Sequence, residues 1–158
     1  MRKFLQLVSL ITTLVTVMTL CVLPASAAGL DTRSIYNGYI YNYPLETNFR
    51  DPIDPRAKEN DSQVYVCLED IGYQSVGVYV QAVGIDQNGG YHNCTKSNGA
   101  LVTEVVIFEG PEYGINNSIH DAYDDASLRL RCSYVIRNDI INVGKWSADS
   151  SREYPTPY

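Results

Sequence analysis

Between residues 126 and 136 the chain alternates without a break. Leu128, Leu130, Cys132, Tyr134 and Ile136 fall on one side; Ser127, Arg129, Arg131 and Ser133 fall on the other. Period two is the spacing of a β-strand, and this pattern describes a half-buried strand with a basic outer face. The alternation recurs upstream. Val64, Val66 and Leu68 alternate with Gln63, Tyr65 and Cys67, and Val76, Val78, Val80 and Ala82 with Gly77, Tyr79 and Gln81. Asp86-Gln-Asn-Gly-Gly90 carries the Asn-Gly signal of a tight hairpin turn. Residues 101–108 are β-branched and nearly continuous, which predicts a strand buried on both faces. Residues 109–118, with their Gly, Pro and Asn, predict a loop, and Ser118 with Asp121 predicts a capped helical turn over 119–125.

Asn138-Asp139 predicts a hairpin turn joining the 126–136 strand to Ile140–Trp146. A two-residue turn there sets Ile136 against Ile141 and Tyr134 against Val143. Trp146 then falls on the outer face opposite Arg131, within reach of a guanidinium–indole contact; a one-residue slip buries it instead. Strands at short, regular spacing with no long helical pattern predict an all-β fold, an antiparallel sandwich or small barrel. Thirteen Tyr and seven Pro beside two Met agree with that class.

The N-terminus has a different character. Arg2 and Lys3 precede an apolar run from Phe4 to Leu23, followed by Pro24-Ala-Ser-Ala-Ala28. That is the layout of a secretory signal peptide over 1–27, with Ala25 and Ala27 suited to the small-residue cleavage pockets. Leu20 before Cys21 is too large for a lipobox. Cleavage leaves about 130 residues, one domain's worth, and no membrane segment. It also changes the charge: the whole chain has 12 basic and 18 acidic residues, net −6, and removing Arg2 and Lys3 leaves ten against 18, or −8. Such a surface argues against nucleic acid, whose phosphates need clustered Lys and Arg.

Residues 28–61 read as an extended Tyr- and Pro-rich arm ahead of a core domain over 62–150, with 151–158 as a tail. Tyr39, Tyr41 and Tyr43 alternate at period two, and Pro44, Pro52 and Pro55 deny helix or central-strand pairing to the stretch beyond them. Arg56–Ser62 reads as the solvated approach to the first core strand. Tyr36, Tyr39, Tyr41 and Tyr43 with Trp146 form the candidate binding surface. Exposed aromatics on a flat strand suit stacking on sugars or docking on a partner, while rings packed back on the sheet are core.

Cleavage leaves Cys67, Cys94 and Cys132, an odd number that permits one disulfide. Cys67 with Cys132 is the candidate pair, since both lie on core strands; three reduced thiols are the alternative. His92-Asn-Cys94 invites a Cys–His nucleophile, yet it sits in a turn with no signature around it. His92, Cys94 and His120 lack zinc spacing. Asp86-Gln-Asn88-Gly begins like a calcium loop, but Ser97 stands where the closing Glu belongs, so a hairpin turn is expected. Asp121, Asp124 and Asp125 crowd one stretch that suits either loose cation binding or plain solvation. No catalytic residue, metal or cofactor is expected.

Two further segments carry a resemblance. Lys58-Glu-Asn-Asp-Ser-Gln-Val-Tyr-Val66 and Gly144-Lys-Trp-Ser-Ala-Asp-Ser150 flank a central Gly84 hairpin. The arrangement resembles small secreted proteins of Gram-positive bacteria, such as clostridia and bacilli, that mostly lack an assigned function. Ala148 stands where that group usually has Pro. The resemblance implies export, a β-rich fold and a non-enzymatic role, with an extracellular protein or cell-wall glycan as partner. An exported binding module is therefore the leading expectation. A secreted antimicrobial or signalling polypeptide is the alternative, and a Cys/His-dependent hydrolase stands behind both.

Overall fold

The computed structural model describes residues 38–72, 77–133 and 140–157. The expected signal segment 1–27, Tyr36, and the Asn138-Asp139 turn lie outside them. Among the described residues there is no helix. Eleven strands are present: β1 Gly38–Pro44, β2 Arg56–Ala57, β3 Val64–Ile71, β4 Val78–Ile85, β5 Tyr91–Asn93, β6 Thr95–Ser97, β7 Ala100–Leu101, β8 Val105–Ile107, β9 Glu112–Asn117, β10 Asp125–Cys132 and β11 Ile140–Ser147. They form two antiparallel sheets ordered β1-β11-β3-β9-β6-β7 and β2-β10-β4-β5, with β8 also on β4. The architecture is sandwich-like rather than a closed barrel.

The alternations place the core. Val64, Val66 and Leu68 of β3 meet Val78 and Val80 of β4 and Leu128 and Leu130 of β10 in one cluster, all fully buried. Successive Cβ atoms point to opposite faces, so these residues share the inner face of their strands, while Tyr65 and Cys67 are buried on the outer face of β3. The outer face of β10 is basic, as expected, yet not simply wet. Arg131 stacks on Tyr79 at 4.2 Å and forms a two-point ion pair with Glu104, and both Arg129 and Arg131 lie over Phe49.

The strand partners differ from expectation in one decisive way. β10 and β11 do not form a hairpin: β10 pairs with β2 and β4 in one sheet, β11 with β1 and β3 in the other. A strand already flanked on both edges has no free ladder for a third partner. Trp146 therefore lies opposite Val66 and Gly38, and its face is set by β3 rather than by Arg131.

The described part of the expected arm, from residue 38 on, contributes to both sheets. β1 is the edge of one sheet, and the chain then crosses to run along β10. Glu46 accepts from Cys132 N–H, Ile53 N–H donates to Leu128, and β2 pairs with Asp125 and Ala126. The prolines are tolerated because this is an edge strand's outer path. Arg56–Ser62 is solvated in part, with Ala57, Glu59, Asn60 and Asp61 exposed as expected and Lys58 buried.

Residues 101–108 are split. Leu101 is exposed in β7, while Val105 and Ile107 are buried in β8 of the opposite sheet. Between them the Thr103 carbonyl is held by Gln81 and Asn93 as the chain changes sheets. The expected loop at 109–118 is mostly strand β9. At its Gly114 a Cβ would sit 2.1 Å from the Gln63 side-chain oxygen, so a side chain there must displace that amide. A single turn lies beyond β9 at residues 119–123, capped by the Asn117 side chain, which accepts Ile119 N–H, rather than by Ser118.

Candidate functional site

The Tyr row of β1 splits in two because of a local irregularity. Asn42 has a left-handed backbone, φ 48°. Beside it, the β11–β3 register shifts between Ile141 and Gly144. Burial parity flips on all three strands at this level: Ile40 then Leu45, Gly144 then Ile141, and Leu68 then Ile71 are buried. A bulge inserts one residue and sends the rest of the strand's side chains to the opposite faces.

Tyr39 and Tyr41, before the flip, are 57% and 60% exposed and stack on each other, ring centres 5.4 Å apart. Tyr43, after it, is half-buried against the core, and its hydroxyl donates to the Asp51 carbonyl. Burial pushes its pKa up. Trp146 does not belong to the binding surface at all. It is 1% exposed, with the Arg56 guanidinium 5.7 Å from its ring centre. Of the five expected residues, the structure brings together Tyr39 and Tyr41.

Polar groups border the pair. Across the ladder Tyr39 faces Lys145, which pairs with Glu69; beside them the Asn142 side chain donates to Asp70 at 3.1 Å. Hydrogen bonding to Glu69 raises the Lys145 pKa and keeps the amine charged. Two exposed rings edged by carboxylates, an amide and an ammonium give a surface with both stacking faces and hydrogen-bonding groups.

The candidate disulfide is not present. Cys67, Cys94 and Cys132 are buried and form no disulfide with one another, and their thiols face three different carbonyls, those of Gly110, His92 and Glu46. Cys67 lies on the outer side of β3 and Cys132 in the core of the opposite sheet, so the shared strand alternation did not bring them together. Burial pushes the Cys67 and Cys94 thiols up. No Cys–His dyad forms between His92 and Cys94 either. The His92 ring stacks on Tyr123 and bonds Asp86 at 2.9 Å, while Cys94 packs inward.

The Asp86 turn is the expected hairpin, joining β4 to β5. Its carboxylate accepts Asn88 and Gly90 N–H groups and the His92 ring, which holds its pKa below the usual carboxylate range. Among the described residues no group of three or more His, Cys, Asp and Glu is placed to hold a metal ion. Nor is any helix among them long and apolar enough to cross a membrane.

Periodicity gave no warning of the ion pair between Lys58 and Asp149, 2.6 Å apart with neither side chain exposed. Asp149 also accepts Glu59 N–H and the Ser62 hydroxyl, and Ser150 N–H donates to Ser62. The two segments that carry the resemblance thus meet in space. The tail beyond them is docked, with Gln63 bonding both the N–H and the carbonyl of Tyr154, and the Tyr154 ring tilted against Tyr65, ring centres 4.8 Å apart. A charged residue in each of two short motifs was the available signal.

The fold and this surface define a small antiparallel β-sandwich domain with an aromatic pair on an edge strand. A family model matches residues 35–150, so the chain belongs to DUF2712, described as a protein of unknown function. No curated protein and no solved structure matches the chain.

Proposed function

We propose that this protein is an exported, non-enzymatic binding module whose Tyr39–Tyr41 face stacks on cell-wall glycan. The observation that carries the reading is the pair of large rings stacked together in solvent on an edge strand. Burial explains Tyr43 and leaves these two without a structural role. Sugar rings offer apolar C–H faces for stacking and hydroxyls for the flanking Lys145, Glu69, Asp70 and Asn142. Export rests on the N-terminal charged, apolar and A-x-A layout. The Gram-positive setting rests on the resemblance of the two motif segments.

Purified protein mixed with insoluble Gram-positive cell wall should sediment with it. The double variant Tyr39→Ala/Tyr41→Ala should weaken binding by about 5- to 150-fold, taking each ring contact as about 0.5–1.5 kcal/mol. Equal binding by the double variant would overturn the assignment of the surface. No binding, together with hydrolase turnover that His92→Ala abolishes, would overturn the non-enzymatic reading.

A further inference from the structure

Lys58 directly follows β2, and Asp149 lies just beyond β11, 91 positions away. Neither side chain reaches solvent. The Lys58 amine donates to Asp149 Oδ1 and to the Ser62 carbonyl, each at 2.6 Å, which pins it from two sides. The Asp149 carboxyl is fixed by Glu59 N–H on Oδ2 at 2.9 Å and the Ser62 hydroxyl on Oδ1 at 3.2 Å. A carboxyl C–O bond is about 1.2 Å long, so Nζ lies at most about 3.8 Å from Cγ. Reacting atoms poised for attack stand about 3–3.5 Å apart. We propose that this pair condenses to an intramolecular isopeptide bond between Lys58 Nζ and Asp149 Cγ, releasing one water.

The step balances within the pair. One proton passes from the ammonium to Oδ1, giving a neutral amine and a neutral carboxylic acid with no change in total charge. The amine lone pair attacks Cγ and forms the N–C bond. Negative charge develops on Oδ2, where the Glu59 N–H already donates, as backbone donors do in acyl transfer. A second proton moves from nitrogen to Oδ1, the oxygen the amine already donates to, the C–O bond breaks, and water leaves. No oxidant, reductant or co-reactant is consumed.

Burial favours the product. Two dry charges carry a desolvation cost of several kcal/mol each, and an amide carries neither charge. Burial also lowers the Lys58 pKa, against the opposing pull of Asp149, and so favours the neutral amine. The product keeps its partners: the amide N–H retains the Ser62 carbonyl, and its oxygen retains the Glu59 N–H. Effective molarities for well-placed groups reach about 10⁵–10⁸ M, far above that of the released water.

This inference does not depend on glycan binding, and its test is a mass measurement. Protein purified from cells expressing the full chain, with its N-terminus read from the same spectrum, should be lighter than its sequence by one water. Trypsin should then fail to cut after Lys58 and release a branched peptide joining Lys58 to Asp149. Lys58→Arg should show the full mass, and Asp149→Asn should lose ammonia in place of water. A folded wild-type protein with its full sequence mass and normal cleavage after Lys58 would overturn the proposal. So would a water loss located anywhere else.

Discussion

At the scale of single residues, the Lys58–Asp149 contact is an ion pair whose two side chains are both shut off from solvent. Replacing Lys58 by Met leaves the Asp149 carboxylate buried without its amine. Breaking a buried pair from one side costs about 3–5 kcal/mol, and the variant also lacks the proposed cross-link, so the urea midpoint of Lys58→Met should fall sharply. Asp86 behaves differently because it is exposed. Its folded pKa lies below the ordinary aspartate value, so its contribution to stability is present above that value and is lost as pH falls through the folded pKa. The melting-temperature gap between wild type and Asp86→Asn should therefore be constant near neutrality and close in acid. The thiols give a third expectation. Cys67, Cys94 and Cys132 are buried, and the pKa values of the first two are raised, so an alkylating reagent should label none in the native protein and all three after unfolding. Peptide mapping of the label reads this directly. A strand pattern could show which way a thiol points, not whether a second thiol lies within bonding distance.

At the scale of elements, β9 and the tail show why composition misled. Gly, Pro and Asn in residues 109–118 are ordinary loop signals, yet the segment pairs with β3 and β6 and accepts the tail through the Gly114 N–H to the Pro155 carbonyl. The Gln63 amide occupies the space a side chain at Gly114 would need. Gly114→Ala should displace that amide and loosen the tail, costing about 1–3 kcal/mol as overpacking does. Proteolysis at Arg152 should then become faster than in wild type, as followed by gel or mass spectrometry. The Tyr row carries the same lesson. Its period-two spacing placed Tyr39 and Tyr41 on one face correctly, but Asn42 and the shift beside it turned Tyr43 inward. An Asn in a strand does not announce a bulge by itself.

At the scale of the whole molecule, residues 38–57 hold the sandwich at one side, since β1 completes one sheet and β2 the other. Trp146 depends on them directly, covered by Gly38 backbone and the Arg56 guanidinium. A chain beginning at Lys58 should therefore lose cooperative unfolding, as measured by thermal denaturation, instead of behaving as a core domain freed of an arm. A truncated chain with the wild-type melting temperature would restore the arm reading.

The strand character and inward face of β3, β4 and β10, together with the Asp86 hairpin, were legible in the amino-acid order. They rest on the two-residue period of an extended backbone and on the φ values that Asn-Gly supplies, both local properties. Which strands pair, which aromatics reach solvent and which charges meet came instead from contacts between residues tens of positions apart. β11 chose β1 and β3 over β10, and Lys58 met Asp149. Alternation is the same for every possible partner strand, so it cannot select among them; complementary burial across the two sheets does.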